Sequence, residues 1–483
     1  MKKNLIRISL VVLTSIALNG CSKTENLNAD IVGLGGDTWE KGPIDEWLNT
    51  NYINPYNIQV KYKWDRSELG DINKNVIPIK EDLVIPVMDI IKKTWIEPYV
   101  AVKGENFMKK YCQKQFYLAG SPSYNSNGTI TLGTAESGRK IVLLDLNTFD
   151  PENKPAVKQI LHTMHHEFAH ILHQNIAFST DYQRITPSDY TATWFNIFRG
   201  AYNSDPALDK VMYEADFWGK GYITPYSRSN KDDDFVEMVA TLLEGGEAYF
   251  DNVINNLFLY EGAFIKRNAN GVYEPNTVAR EQLLKKKNIV IAYLKDSWGI
   301  NLKELQLKTQ AAIEAAGPTP DFIDLLGPGN VYRSIAINPQ KLKNLSQSFL
   351  TAYNTSSTGL QQNVGYYIDN ISLLFPAADR MTLRINFMDP TAALGPGYNG
   401  DFDFILTEND GVIELKYANP QPTAGATYGN ARVIEKQVLP LLNYFHNQQF
   451  TVRWVEDIIP QSKSIFGGLV KVSNPSSYVF GTL

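Results

Sequence analysis

Cysteine is nearly absent from this chain: Cys21 and Cys112 are the only two in 483 residues. A disulfide-stapled scaffold is therefore excluded, and a chain this long does not need one, because it can bury two or more apolar cores. Long apolar runs are missing as well. Outside the N-terminal segment Ile8 to Leu18, nothing approaches the roughly 20 residues that span a bilayer as a helix, and that segment is itself too short. Charge of one sign is also scarce. The formal net charge of −5 argues against the basic surface that binds nucleic acid. Internal repeats and low-complexity tracts are absent too.

What is present begins with a targeting segment. Lys2, Lys3 and Arg7 precede the apolar run, and Leu18-Asn19-Gly20-Cys21 follows at once. A charged start, a short apolar core and small residues mark an export signal. Its ending resembles a lipoprotein signal, in which the Cys becomes the lipidated first residue of the mature chain. Residues 1–20 are read as the signal peptide and 21–45 as a polar tether. The expected location is the bacterial cell envelope, with lipid on Cys21 in the outer membrane and both the periplasmic and the surface face open.

Beyond the tether the chain alternates helical and extended patterns. Residues 82–110 read as two helices broken near Pro98, and 113–119, 129–134 and 139–145 as strands. A helix is expected from Asn153, a good N-cap, with Pro155 in its first turn. Further helices fall near 206–217, 231–251, 279–295 and 302–315. Pro318 and the Gly-Pro-Gly at 327–329 mark a boundary. After it come a helix near 337–352, strands near 379–387, 402–407 and 411–417, a helix at 431–446 and a strand at 450–456. The fold class is α+β: a first domain over 46–320, followed by a separate α+β domain over 330–483 of unassigned role.

Five of the six histidines lie between 162 and 173. Within that run His166-Glu167-Phe168-Ala169-His170 is an H-E-x-x-H motif. Residues four apart share a helix face one turn apart, so the two imidazoles can close on one Zn²⁺. Glu167 sits roughly 100° around the helix, where it can reach water on the metal without competing for it. His162 and His173 share the histidine face, while Val157, Leu161, Met164, Phe168, Ile171 and Leu172 form an apolar face opposite. His173 lies seven residues, or about 10.5 Å, beyond His166 and does not readily join both at one metal. Together with His162 and His165 it is read as supporting or exposed. Ile176 stands where a metzincin would carry its third His, which excludes that class.

The third ligand must come from elsewhere. Between 233 and 244, Asp233, Glu237 and Glu244 line one helix face, opposite Phe235, Val239, Leu242 and Leu243. Glu237, central on the acidic stripe, is the expected ligand. Asp233, Asp234 and Glu244 follow as alternatives, the first two also suiting the first turn of a helix or the orientation of a His.

The H-E-F-A-H helix followed by Asp234-Phe235-Val236-Glu237 is similar to the gluzincin class of metallopeptidases, which implies that the domain over 46–320 is a zincin-like metallopeptidase domain. More closely, with Gly221-Tyr222-Ile223-Thr224-Pro225-Tyr226-Ser227 between them, these segments resemble the zinc-binding metallohydrolase lipoproteins of Bacteroidetes. The resemblance covers the signal and roughly residues 45–300. It implies a link to outer-membrane import complexes of the TonB-dependent kind.

These residues predict metal-assisted hydrolysis of peptides or proteins by a monomer. Zn²⁺ would sit on His166, His170 and Glu237, Glu167 would act as general base, and Tyr226 would donate to the oxyanion, with Tyr222 as runner-up. Asn230 or Arg228 touching substrate instead is the alternative to the tyrosine. The competing expectation is a surface lipoprotein that captures peptides or glycans for an importer and holds a non-catalytic metal. Glu167 favours the enzyme, because a structural zinc site has no use for a base.

Overall fold

The computed structural model describes residues 40–63, 76–124, 130–131, 133–136, 140–196, 216–261, 264–268, 271–389 and 397–483. The expected signal peptide, Cys21, most of the tether and nearly all of the helix expected near 206–217 lie outside them. The chain divides into two compact units, Met1–Glu46 and Trp47–Leu483. In the first, the Gly42 amide donates to Asp45 (2.9 Å) at the start of a short helix. The second holds everything that follows.

A four-stranded sheet comes first in the chain, in the order β1 (Gln59–Lys61), β2 (Gln115–Leu118), β4 (Lys140–Leu143), β3 (Gly133–Glu136). β1, β2 and β4 run parallel, and β3 returns antiparallel to β4. Lys140-Ile141-Val142-Leu143 is buried at every position, which is why the sequence shows an apolar run there and no alternation. Helices pack on this sheet. α1 (Glu81–Ile91) passes through a π-helical turn, Lys92–Ile96, into α2 (Glu97–Lys103), and α3 (Glu105–Tyr111) follows. The expected break at Pro98 is absent. Pro98 follows closely on the π-helical turn Lys92–Ile96, and the chain stays helical through it. The chain breaks instead at Gly104, whose φ of 78° a residue with a side chain rarely adopts.

α4 (Lys154–Asn175) crosses the sheet's helical layer and meets α5 (Lys231–Glu244). α6 (Gly246–Asn255), α7 (Thr277–Trp298) and α8 (Leu302–Ala316) complete this part. The sequence reads α5 and α6 as one helix over 231–251. They are two, because Gly246 takes φ 77° between them.

The region expected as a separate α+β domain over 330–483 carries a closed eight-stranded antiparallel barrel. Its strands are β5 (Ser334–Ile337), β6 (Tyr367–Ala377), β7 (Arg380–Met388), β8 (Tyr398–Asn409), β9 (Val412–Tyr417), β10 (Gln448–Trp454), β11 (Phe466–Lys471) and β12 (Tyr478–Thr482). β5 closes it by pairing with both β6 and β12. α9 (Gln347–Val364) and α10 (Ala426–Phe445) pack against one another, and α10 also lies on β8. The helix expected near 337–352 starts ten residues later than read, at Gln347, capped by Ser346, whose hydroxyl accepts from the Phe349 amide. The residues before it belong to β5 and a turn. β11 escapes the sequence pattern because two of its six residues are Gly467 and Gly468. The first must be glycine, since a Cβ there would meet the Phe322 ring at 2.1 Å.

The barrel is tied to the helices by specific bonds. Asp369 accepts from Arg267 (3.0 Å) and Tyr273 (2.9 Å), Trp454 donates to the Pro320 carbonyl (2.8 Å), and Lys463 pairs with Glu314 (2.9 Å).

Candidate metal centre

α4 forms where the sequence expects it. The Asn153 side chain accepts from the Ala156 amide, Pro155 lies in the first turn, and the helix runs to Asn175. Val157, Leu161, Met164, Phe168, Ile171 and Leu172 are buried, and the Phe168 ring meets Trp95 edge-on at 5.4 Å and Tyr99 at 5.0 Å. This aromatic packing fixes the rotation of α4, so its histidine face turns toward α5.

The two helices run antiparallel, as their contacts show in reverse order. His162 lies against Glu244 and Glu237, His166 against Glu237 and Asp233, and His170 against Asp233. Asp233 and Glu237, one turn apart on α5, thus face successive turns of α4.

Two groups of side chains there could hold a metal ion: His162, His166 and Glu237, and His166, His170 and Asp233. Their geometries differ. In the second, His166 Nε2 and His170 Nε2 are 3.2 Å apart, with Asp233 Oδ1 at 3.2 Å from His170 Nε2 and 3.9 Å from His166 Nε2. Donors around a tetrahedral zinc with bonds of about 2.0–2.1 Å stand about 3.3 Å from one another, so these three atoms fit one ion with little adjustment. In the first group, Glu237 Oε1 is 2.7 Å from His166 Nδ1 and 3.0 Å from His162 Nε2. Those are hydrogen-bond lengths, too short for the edges of a tetrahedral site.

The remaining polar atoms hold the donors in place. Glu237 grips His166 from behind through Nδ1, and its second oxygen accepts from Thr224 Oγ1 at 2.5 Å. His173 Nε2 bonds His170 Nδ1 at 2.9 Å. The outer oxygen of Asp233 accepts from Ser229 and from Asn230 Nδ2 (2.7 Å). Each donor atom that faces the centre is therefore backed by a hydrogen bond on its far side, the arrangement that fixes tautomer and orientation in metal sites. Burial works to raise the Glu237 carboxyl, but His162 and His166 prevail and hold it well below the carboxylate range. Burial likewise opposes charge on His162, yet Glu237 and Glu244 lift it to about 10.

Glu167 is buried on the same helix beside the donors. Burial raises its carboxyl above the usual range, opposed by His166 and His170 and assisted by Asp233 and Glu237. Tyr226 stands over the centre, its ring 5.8 Å from that of His166 and 5.0 Å from that of Trp194. Burial first, then the charge of Asp233, keeps its hydroxyl protonated.

Other expected residues lie elsewhere. Tyr222 is fully buried and donates to the Thr186 carbonyl (2.8 Å). Asp234 points away from the histidines into a fully buried ion pair with Lys286 (2.6 Å). His165 is on the core face, not exposed, against Tyr99, and burial pushes its pKa down to about 3. Arg228 is buried against Asp216 (2.8 Å), and Asn230 caps α5, so neither is free for substrate. The sequence reading missed Thr224 and Ser229. A hydroxyl in a turn carries no signal of its own.

An H-E-x-x-H helix facing an acid-bearing helix, with the donors spaced for one ion, defines a centre of the zinc-metallopeptidase type. The chain belongs to the family described as "putative zinc-binding metallo-peptidase", whose model matches residues 37–303. It is also similar to a crystal structure described in the same words, from Bacteroides caccae. The two are 28% identical, the match covers 58% of this chain and 97% of that one, and the TM-score is 0.42. No curated protein matches.

Proposed function

We propose that this chain is a zinc-dependent peptidase of the cell envelope, with His166, His170 and Asp233 as the metal ligands. The observation that carries this is the near-tetrahedral spacing of His166 Nε2, His170 Nε2 and Asp233 Oδ1. Asp233 takes the place that the sequence reading gives to Glu237, and Glu237 orients His166. When bound, the metal would polarise the scissile carbonyl and acidify a water. Glu167 accepts the proton of that water and returns it to the leaving amine. Tyr226 donates its hydroxyl hydrogen to the carbonyl oxygen as charge develops there. The lipid anchor on Cys21, outer-membrane location, monomeric state and association with a TonB-dependent importer belong to the same proposal, supported by the signal-like N-terminus and the family resemblance.

Glu167→Gln tests the assignment. The side chains are nearly isosteric, so fold and zinc content should persist, while loss of the proton acceptor should slow turnover by about 10²–10⁴. Digestion of a peptide pool at matched zinc content is the measurement. Equal turnover by wild type and variant refutes Glu167 as the base. A wild type that cleaves nothing yet binds peptide or glycan tightly refutes the enzyme.

A further inference from the structure

A cavity of about 460 Å³ opens beside the metal centre, lined in part by Arg184, Tyr190, Thr191, Ser229, Asn230 and Lys231. It is one side chain away from the donors. Ser229 and Asn230 line it and also hold the outer oxygen of Asp233, whose inner oxygen faces the two histidines. The turn Tyr226–Arg228 leads directly into this wall. A peptide held with its carbonyl under Tyr226 therefore has a neighbouring side chain or terminus within reach of the cavity.

The lining has one sign. Among the described residues it holds two cations and no carboxylate. Each cation has an exposed acidic neighbour outside the lining: Arg184 pairs with Asp181 at 3.1 Å, and Lys231 with Asp232 at 3.0 Å. Exposed pairs of this kind hold their partners weakly, so either cation can turn to a ligand at little cost. Arg184 offers a planar fork suited to two carboxylate oxygens, and Lys231 a compact charge. The Asn230 side-chain oxygen already accepts from two amides of α5, so the polar donors of this wall are fixed in direction.

We propose that this cavity is the specificity pocket of the peptidase and that it binds a carboxylate of the peptide substrate through Arg184 and Lys231. The inference rests on the peptidase reading above. The carboxylate comes from an Asp or Glu side chain or from the peptide C-terminus, and amidated peptides separate the two sources.

The test uses the full zinc-loaded protein. A peptide pool is digested, the cleavage sites are read by mass spectrometry, and the best peptide is remade with its Glu replaced by Gln or its terminus amidated. Sites should carry a carboxylate at one fixed distance from the scissile bond, and its neutralisation should lower kcat/KM by about 10–100-fold, as loss of a charge-assisted hydrogen bond does. Arg184→Ala with Lys231→Ala should erase that preference, leaving zinc content and the rate on the neutral peptide close to wild type. Equal cleavage of charged and neutral peptides by wild type overturns the pocket. So does a double variant that slows both alike. If wild type cleaves no peptide of the pool, hydrolysis is refuted, and calorimetry of a Glu-containing peptide from that pool and its amidated, Gln-substituted counterpart decides the pocket separately: tighter binding of the charged one sustains it, equal binding overturns it.

Discussion

Asp233→Asn and Glu237→Gln separate a metal ligand from the residue that orients one. Both carboxylates lie on one face of α5 and both are nearly buried, Asp233 at 7% and Glu237 at 4% exposure. Only the first presents an oxygen to the Nε2 atoms of His166 and His170. Zinc sites with four protein ligands are worth about 10–16 kcal/mol, or roughly 2.5–4 kcal/mol per ligand, so removing one should weaken binding by about 10²–10³. Glu237→Gln retains an oxygen that can accept from His166 Nδ1, but it removes the charge and puts an NH₂ donor where the second oxygen accepts from Thr224. A loss of about tenfold, at the low end for groups behind a ligand, is expected. Competition against a chromophoric chelator measures both, with the melting temperature of the metal-free variants as control for folding. The reasoning fails if Glu237→Gln releases zinc more readily than Asp233→Asn, which would place the ion between His162 and Glu237.

Other perturbations read other parts of the structure. Lys286→Met leaves Asp234 buried without its partner and should cost about 3–5 kcal/mol in unfolding free energy; adding Asp234→Asn should recover part of it, and a denaturant titration showing simple additivity would count against the pair. Burial works to raise the Glu314 carboxyl, but Lys154, Lys463 and Thr319 hold it at about 2. A depressed pKa gives stability that is complete above the unfolded value and lost as pH falls toward 2. Glu314 is partly exposed, so after solvent screening about 1 kcal/mol is expected, and Glu314→Gln should approach wild type as pH drops below about 4.5. A difference between their urea midpoints that stays constant over that range contradicts this. Finally, the mature N-terminus in cells should be an acylated Cys21, and an intact mass lacking acyl chains would reject the anchor.

The histidine helix was legible in detail because its signals are local. The cap, the first-turn proline, the apolar face and the H-E-x-x-H spacing all lie within Asn153 to Asn175, and one rotation of a helix wheel relates them. The acidic stripe of α5 was legible for the same reason. Which acid faces which histidine was not. That depends on the antiparallel crossing of α4 and α5 and on its register, and a one-turn slide exchanges Asp233 for Glu237 without altering either helix. The barrel was only half legible. Strands such as Met381-Thr382-Leu383-Arg384-Ile385 alternate apolar and polar residues clearly enough to be read. β5 merged with the following helix, and glycines hid β11. Closure itself depends on β5 pairing with β12 almost 150 residues later, a long-range fact that no window of sequence contains.

The centre draws its second half from segments that the apolar core alone would not hold in register. α5 brings Asp233, while the stretch from Gly221 to Ser229 brings Thr224, Tyr226 and the Ser229 hydroxyl. Lys286 on α7 joins the two. Its ammonium pairs with Asp234, the residue next to Asp233, donates to the Gly221 carbonyl (2.8 Å), and lies over the Tyr222 ring at 4.2 Å. A fully buried charge pair seldom exceeds a well-packed apolar pair in stability, so stability alone explains it poorly. Direction explains it better. One fixed ammonium with several bonds sets where α5 begins relative to the tyrosine-bearing turn, and that distance decides whether Asp233 and Tyr226 address the same point above His166. Asp234 thus acts on the centre by facing away from it.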